Sequence, residues 1–196
     1  LSITSAQGTS SKGETSDPKA KSLLDRVKKM YDGYQSLETN ITLTLKLAEQ
    51  RKEEVQKGKA YQEKDKYRLD MGKNWMMSDG KILWAKVDEK TIHMSNAVTS
   101  SNGCEVKSPK DLMEIYEKNG FTYTIMGEAA EGWSKKATMI VFKPNKKNCD
   151  YTQIRVAIDQ KSNHVVSITA FGRDQSRYKC EMSQPIVNKK YATDFF

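Results

Sequence analysis

The feature that most constrains this chain is a single change of hydrophobic period between Tyr34 and Ile41. Upstream, Leu23, Val27, Met30 and Tyr34 recur at helical spacing, with Leu24 and Tyr31 widening the stripe. Asp17 is placed to cap this helix, Pro18 suits its first turn, and Gly33 interrupts it near its end. Downstream, Ile41, Leu43, Leu45 and Leu47 alternate with Thr42, Thr44, Lys46 and Ala48, the pattern of a half-buried strand. From there on, period two dominates. An amphipathic helix followed by a long run of one-sided strands cannot fold as a bundle or as alternating β-α units. It demands a wide antiparallel sheet with one apolar face.

The strands can be placed in order. Val55 to Gln62 follows the charged turn Glu49 to Glu54, and Tyr67, Leu69 and Met71 then alternate with Arg68 and Asp70. Trp75 to Ser78 and Lys81 to Val87 flank Asp79-Gly80, a strong hairpin signal, and Thr91 to Asn96 makes a further strand. Ser108-Pro109 then opens a short second helix with Leu112, Met113, Ile115 and Tyr116 on its apolar face, closed by Asn119-Gly120. Strands resume over Phe121 to Met126, Ala137 to Phe142, Tyr151 to Ile158, Val165 to Phe171 and Arg177 to Met182. A sheet of about eleven strands curls strongly, which gives it a concave face. The expected fold is mainly β (α+β): a half-open antiparallel barrel with a lid of two or three short helices.

Composition agrees with a one-sided sheet. Only 37% of residues are hydrophobic and 30% are charged, with a net charge of +8. No run reaches the roughly 18 apolar residues of a membrane-spanning helix. The basic residues are dispersed; the densest acid-free group is Lys135, Lys136, Lys143, Lys146 and Lys147, and no aromatic RNA-binding strand motif or zinc-finger spacing accompanies it. Nucleic acid is therefore not an expected partner. His93 and His164 have no nucleophile at a catalytic spacing, and phosphate-loop, Gly-x-Ser-x-Gly and His-Glu-x-x-His patterns are absent, so catalysis and cofactors are not expected.

The cysteines are Cys104, Cys149 and Cys180, without a C-x-x-C pair. Cys104, in a polar loop, reads as a free thiol, and the strand register disfavours a Cys149–Cys180 bridge. Leu1-Ser2-Ile3-Thr4-Ser5-Ala6-Gln7 reads as the remnant of a secretory signal with small residues near a cleavage point at Ala6. Residues 1–17 are thus expected to be signal remnant and leader, and 18–196 the folded domain.

The apolar residues on the strands are unusually pliable. Met71, Met76, Met77, Met94, Met126, Met139 and Met182 join Trp75, Trp84, Tyr67 and Phe121. Methionine repacks at low cost, so a concave face rich in it suits a variable apolar ligand.

Several of these segments carry a resemblance. The helix, the Leu-rich strand, Gly58-Lys59-Ala60-Tyr61, Tyr67-Arg68-Leu69-Asp70-Met71 and above all Ser78-Asp79-Gly80-Lys81-Ile82-Leu83-Trp84 occur in the order found in the periplasmic outer-membrane lipoprotein carrier family, LolA. The closing run Tyr191-Ala192-Thr193-Asp194-Phe195-Phe196 fits as well. The resemblance implies a monomeric periplasmic chaperone of a Gram-negative bacterium. Such a chaperone takes acylated lipoproteins from an inner-membrane ABC transporter of LolCDE type and passes them to an outer-membrane acceptor, with transient membrane-surface contact. The alternative it implies is a lipid-binding or lipoprotein-sensing relative in envelope-stress signalling. The corresponding site residues are Leu23, Val27 and Met30 on the first helix, Leu43, Leu45, Tyr67, Leu69, Met71, Trp75, Met77, Trp84 and Met94 on the strands, and Leu112, Ile115 and Tyr116 on the second helix. The family's lid-latching arginine has no counterpart at the bend after the second strand; Lys64-Asp65-Lys66 stands there, which makes Lys64 the candidate latch. The family's C-terminal tail would follow Phe196.

Overall fold

The computed structural model describes residues 15–86, 91–96, 115–117 and 120–196. The one helix among them for which bounds are defined, α1 (Pro18–Asp32), starts as the sequence requires: the Asp17 carboxylate accepts from Lys19 N at 2.8 Å and Pro18 takes the first turn. Gly33 closes it. Twelve strands follow: β1 (Ser36–Lys46), β2 (Glu54–Glu63), β3 (Lys66–Met71), β4 (Asn74–Ser78), β5 (Ile82–Lys86), β6 (Ile92–Asn96), β7 (Phe121–Ala129), β8 (Ala137–Pro144), β9 (Tyr151–Asp159), β10 (Val165–Gly172), β11 (Arg177–Met182) and β12 (Ile186–Val187). The second helix expected from Ser108 lies outside the described residues, apart from Ile115–Glu117.

All strands belong to one antiparallel sheet in the order β6-β5-β4-β3-β2-β1-β11-β10-β9-β8-β7, with β12 added beside β1. The sheet is not closed: β6 and β7 are its two edges. Long-range pairing occurs once along the path, where β1 meets β11 through Ile41↔Met182, Leu43↔Cys180 and Leu45↔Tyr178. Every other step joins sequence neighbours by a hairpin or a short loop, the arrangement that dense turn chemistry favours. At Asp79-Gly80 the Asp79 carboxylate accepts from Lys81 N and Ile82 N, both at 2.8 Å, and Gly80 adopts φ +93°, a left-handed geometry natural to glycine. The two-residue β12 was not legible in the sequence; Leu37↔Val187 and Glu38↔Ile186 pair it to the free stretch of β1 beyond β11.

The core is lopsided. α1 is about 22 Å long at 1.5 Å per residue, and its buried residues Ala20, Leu23, Leu24 and Val27 pack with Phe121, Tyr123, Ile140, Phe142, Ile154, Val156 and Ile158 of β7–β9. Ile115 and Tyr116 join the same cluster. Tyr116 Oη donates to Asp25 on α1 at 2.9 Å. A smaller apolar cluster (Ala137, Ala157 and Val166 under Trp133) covers the other face of β8–β10. Among the described residues α1 packs on the β7–β10 end of the inner face. The remainder, over β1–β4, β10 and β11, is where a cavity lies.

Cys149 is disulfide-bonded and Cys180 is a free thiol, so the disfavoured Cys149–Cys180 bridge is not formed; Cys104 lies outside the described residues. The expected leader, residues 1–17, likewise falls outside them up to residue 14.

Candidate functional site

The cavity of about 400 Å³ forms where the inner face of the sheet is not filled by α1. Leu37, Ile41 and Leu43 of β1 supply its centre, Ala60 of β2 and Tyr67, Leu69 and Met71 of β3 one wall, and Met76 of β4 extends that wall. The opposite wall comes from Ile154, Val165, Ile168, Ala170, Tyr178, Cys180 and Met182. Register explains the set: Thr39↔Ala60, Ala60↔Leu69 and Leu69↔Met76 form one continuous cross-strand row on a single face. The far wall continues through Leu43↔Cys180 and Cys180↔Ile168.

Gly58 is part of this wall by omission. A Cβ there would collide with the Asp70 carbonyl and the Met71 sulfur, so the Met71 side chain lies across a position that only glycine leaves open.

The electrostatics suit an uncharged ligand. Arg68, the only charged residue among the described residues at the cavity, alternates with the inward Tyr67 and Leu69, so its side chain turns to the outer face of β3. Its guanidinium is already engaged: Nε donates to Asp70 at 3.0 Å, and the group lies 5.1 Å from the ring centre of Phe195. Cys180 is no nucleophile at neutral pH, because burial pushes its thiol up to about 11. Burial likewise pushes the Tyr31 hydroxyl, at the cavity edge, up to about 12, and that hydroxyl accepts from Val165 N at 3.2 Å. His164 is paired with Tyr34 Oη at 3.0 Å, and burial lowers its pKa. Among the described residues no group of three His, Cys, Asp or Glu side chains is placed to hold a metal ion. Nor is any helix there long and apolar enough to cross a membrane.

The residues singled out in the sequence fall in five places. Leu43, Tyr67, Leu69 and Met71 line the cavity, and Leu45 lies on the same face of β1, one pair further along. Leu23, Val27, Ile115 and Tyr116 are buried in the core rather than spread over the cavity; α1 reaches the cavity through Tyr31, not Met30. Trp75, Met77, Trp84 and Met94 lie on the other face of the sheet: Met77↔Trp84 and Trp84↔Met94 pair there while Met76 points inward. The run Trp75-Met76-Met77 is apolar on both faces, so alternation could not set its parity. Leu112 lies outside the described residues. Lys64 sits exposed in the tight β2–β3 turn at φ +53°, where its carbonyl accepts from Gln62 Nε2.

The far wall was missed, although the alternations Ile168/Ala170 and Tyr178/Cys180/Met182 mark the inner faces of β10 and β11. Nothing in the sequence says that β11 turns back to lie beside β1.

No protein-family model matches the sequence, and no curated protein matches it either. Solved structures do match in shape. An uncharacterised conserved protein from Thermus thermophilus superposes with a TM-score of 0.56 at 11% identity, over 90% of this chain and 96% of that one. The lipoprotein LppX of Mycobacterium tuberculosis superposes at 0.50 and 14% identity, over 91% and 100%. A LolA superfamily protein from Nitrosomonas europaea covers 90% of this chain and 99% of its own at 7% identity and a TM-score of 0.44. The fold is one shared with the Thermus thermophilus protein and with LppX. At such identities the likeness is one of architecture, and what this chain binds has to be argued from its own cavity.

Proposed function

We propose that the protein is an envelope carrier that shelters the acyl chains of lipoproteins in this cavity. On this reading it carries them across the periplasm of a Gram-negative bacterium, from an inner-membrane release transporter of LolCDE type to an outer-membrane acceptor. The observation that carries the reading is an open-sheet cavity of about 400 Å³ with apolar walls from both halves of the sheet, whose one charged residue, Arg68, is paired with Asp70 on the outer face. Each methylene withdrawn from water contributes about 0.8 kcal/mol, so acyl anchors cross an aqueous space only when covered. The volume lies near the lower end of ligand sites, which run from roughly 300 to 1,000 Å³. A multiply acylated anchor therefore requires the wall to yield, and Met71, Met76 and Met182 are the residues that yield most cheaply. The disulfide at Cys149 supports an oxidising compartment such as the periplasm.

The test is a lipid-extract mass spectrum of the protein purified from its native envelope, together with lipoprotein release from spheroplasts. Acylated species in the extract and lipoprotein in the supernatant are the expected results. An extract free of acylated species, with no lipoprotein released, overturns the carrier reading.

A further inference from the structure

The outer face of β4–β6 carries apolar side chains that neither core cluster uses. Two cross-strand rows define it: Arg68↔Met77, Met77↔Trp84 and Trp84↔Met94 form one, and Asp70↔Trp75, Trp75↔Lys86 and Lys86↔Ile92 the other. Trp75, Met77, Trp84, Ile92 and Met94 thus share one face, with Ile92 and Met94 exposed to 56% and 66%. None of the five belongs to either apolar core. An apolar group of this breadth, ending on an edge strand, marks a surface that meets something.

Charge says what. Along residues 64–96 the cations Lys64, Lys66, Arg68, Lys73, Lys81, Lys86 and Lys90 outnumber Asp65, Asp70, Asp79, Asp88 and Glu89. Of those acids, Asp70 is held by Arg68 and Asp79 by the backbone of its own turn. Lys66 shares the outer face of β3 with Arg68, Lys86 stands within the second row, and Lys64, Lys73 and Lys81 occupy the turns at the two ends of the strands. Indole rings within a frame of lysines match the boundary of a bilayer, where tryptophan sits at the headgroup level and lysine meets anionic phosphate.

We propose that the outer face of β4–β6 is the surface by which this protein docks on an anionic lipid bilayer. It lies on the side of the sheet opposite the cavity wall, so docking leaves the cavity face free. The proposal does not depend on what the cavity holds.

The test uses the full chain in flotation with vesicles of phosphatidylcholine, with and without phosphatidylglycerol. Binding is expected only when phosphatidylglycerol is present and is expected to fall as salt rises. Lys66→Gln and Lys86→Gln should each weaken it about fivefold. Trp84→Ala and Met94→Ser, both at partly or fully exposed sites, should weaken it further. Trp133→Phe leaves Trp75 and Trp84 as the only tryptophans, and brominated lipid should quench their emission. Equal binding to vesicles without phosphatidylglycerol, no quenching, or binding unchanged by both Trp84→Ala and Met94→Ser overturns the proposal. So does a dimer in ultracentrifugation that Trp84→Ala dissolves, which would assign the face to a second copy of the chain. Met76→Gln, which alters the cavity wall, should leave vesicle binding unchanged, so a failed carrier reading and a failed docking face are told apart.

Discussion

Met76 and Met77 are consecutive residues of one strand with opposite surroundings, and exchanging each for glutamate tests the whole assignment of faces. Met76 pairs with Leu69 on the cavity wall, whereas Met77 lies opposite Arg68 and Trp84 on the outer face. In Met76→Glu an acyl ligand loses contact with a methionine side chain, whose full burial is worth roughly 1.5–3 kcal/mol. The ligand must also cover a carboxylate, which takes up a proton rather than stay charged against hydrocarbon. Holding a glutamate of ordinary pKa near 4.3 neutral at pH 7.5 costs up to about 4 kcal/mol, at 1.36 kcal/mol per unit. Even the lower bound of the first contribution predicts about a tenfold loss of affinity for a fluorescent acyl probe, and the second raises it to several hundredfold or more. The sign with pH follows from linkage. The bound state has the higher glutamate pKa and takes up a proton, so affinity recovers as pH falls from 7.5 toward 5, by at most tenfold per unit. Met77→Glu gains a neighbour in Arg68, should leave probe affinity within twofold, and should reduce vesicle docking instead. Titration of the probe across that pH range reads both variants. Equal loss in the two, or a pH-independent loss in Met76→Glu, would refute the inner-face assignment.

Gly58→Val should close the cavity from within, because its side chain takes the place of the Met71 sulfur and presses on the Asp70 carbonyl; probe binding should be lost and the melting temperature should fall. Cys180, with its thiol pushed up to about 11, exposes about a thousandth of its thiolate at pH 8, against about a quarter for an ordinary cysteine near 8.5. Peptide mapping should therefore show it alkylated some two-hundredfold more slowly than in the unfolded chain, and more slowly again with an acyl ligand bound; labelling at the unfolded rate would remove Cys180 from the wall. Asp159 is almost fully buried, a setting that by itself raises a carboxyl pKa, yet hydrogen bonds from Ser134 and Ser162 hold it well below the usual range. Its contribution is complete above the unfolded value near 4 and fades as pH falls through the depressed folded value. Asp159→Ala should cost roughly 2–4 kcal/mol in urea unfolding at pH 7, and the gap to the parent should narrow in acid. Glu38 sits under Lys189 (2.7 Å) and Lys59 (3.0 Å), which hold its carboxyl low, and Glu38→Ala should loosen the C-terminal segment, read as faster amide exchange at residues 189–196.

Local chemistry determined the elements. Asp17-Pro18 starts α1, the Leu23-Val27 spacing gives it one buried side, and Asp79-Gly80 folds the β4–β5 hairpin wherever those segments are placed, because caps and turns act within a few residues. The alternation of Leu43 with Thr44, and of Tyr67, Leu69 and Met71 with Arg68 and Asp70, already carried the inner face of β1 and β3. Where alternation fails, as at Trp75-Met76-Met77, only pairing with Leu69 decides which side chain points inward, since a shift of one residue inverts a strand. The far wall and the lopsided core depend on β11 lying beside β1, a contact between residues far apart in the chain that no local pattern encodes. The sequence alone specified a one-sided sheet with an amphipathic helix before it and a second expected from Ser108; the tertiary structure decided that α1 is spent on β7–β9 and the cavity is left over β1–β4, β10 and β11.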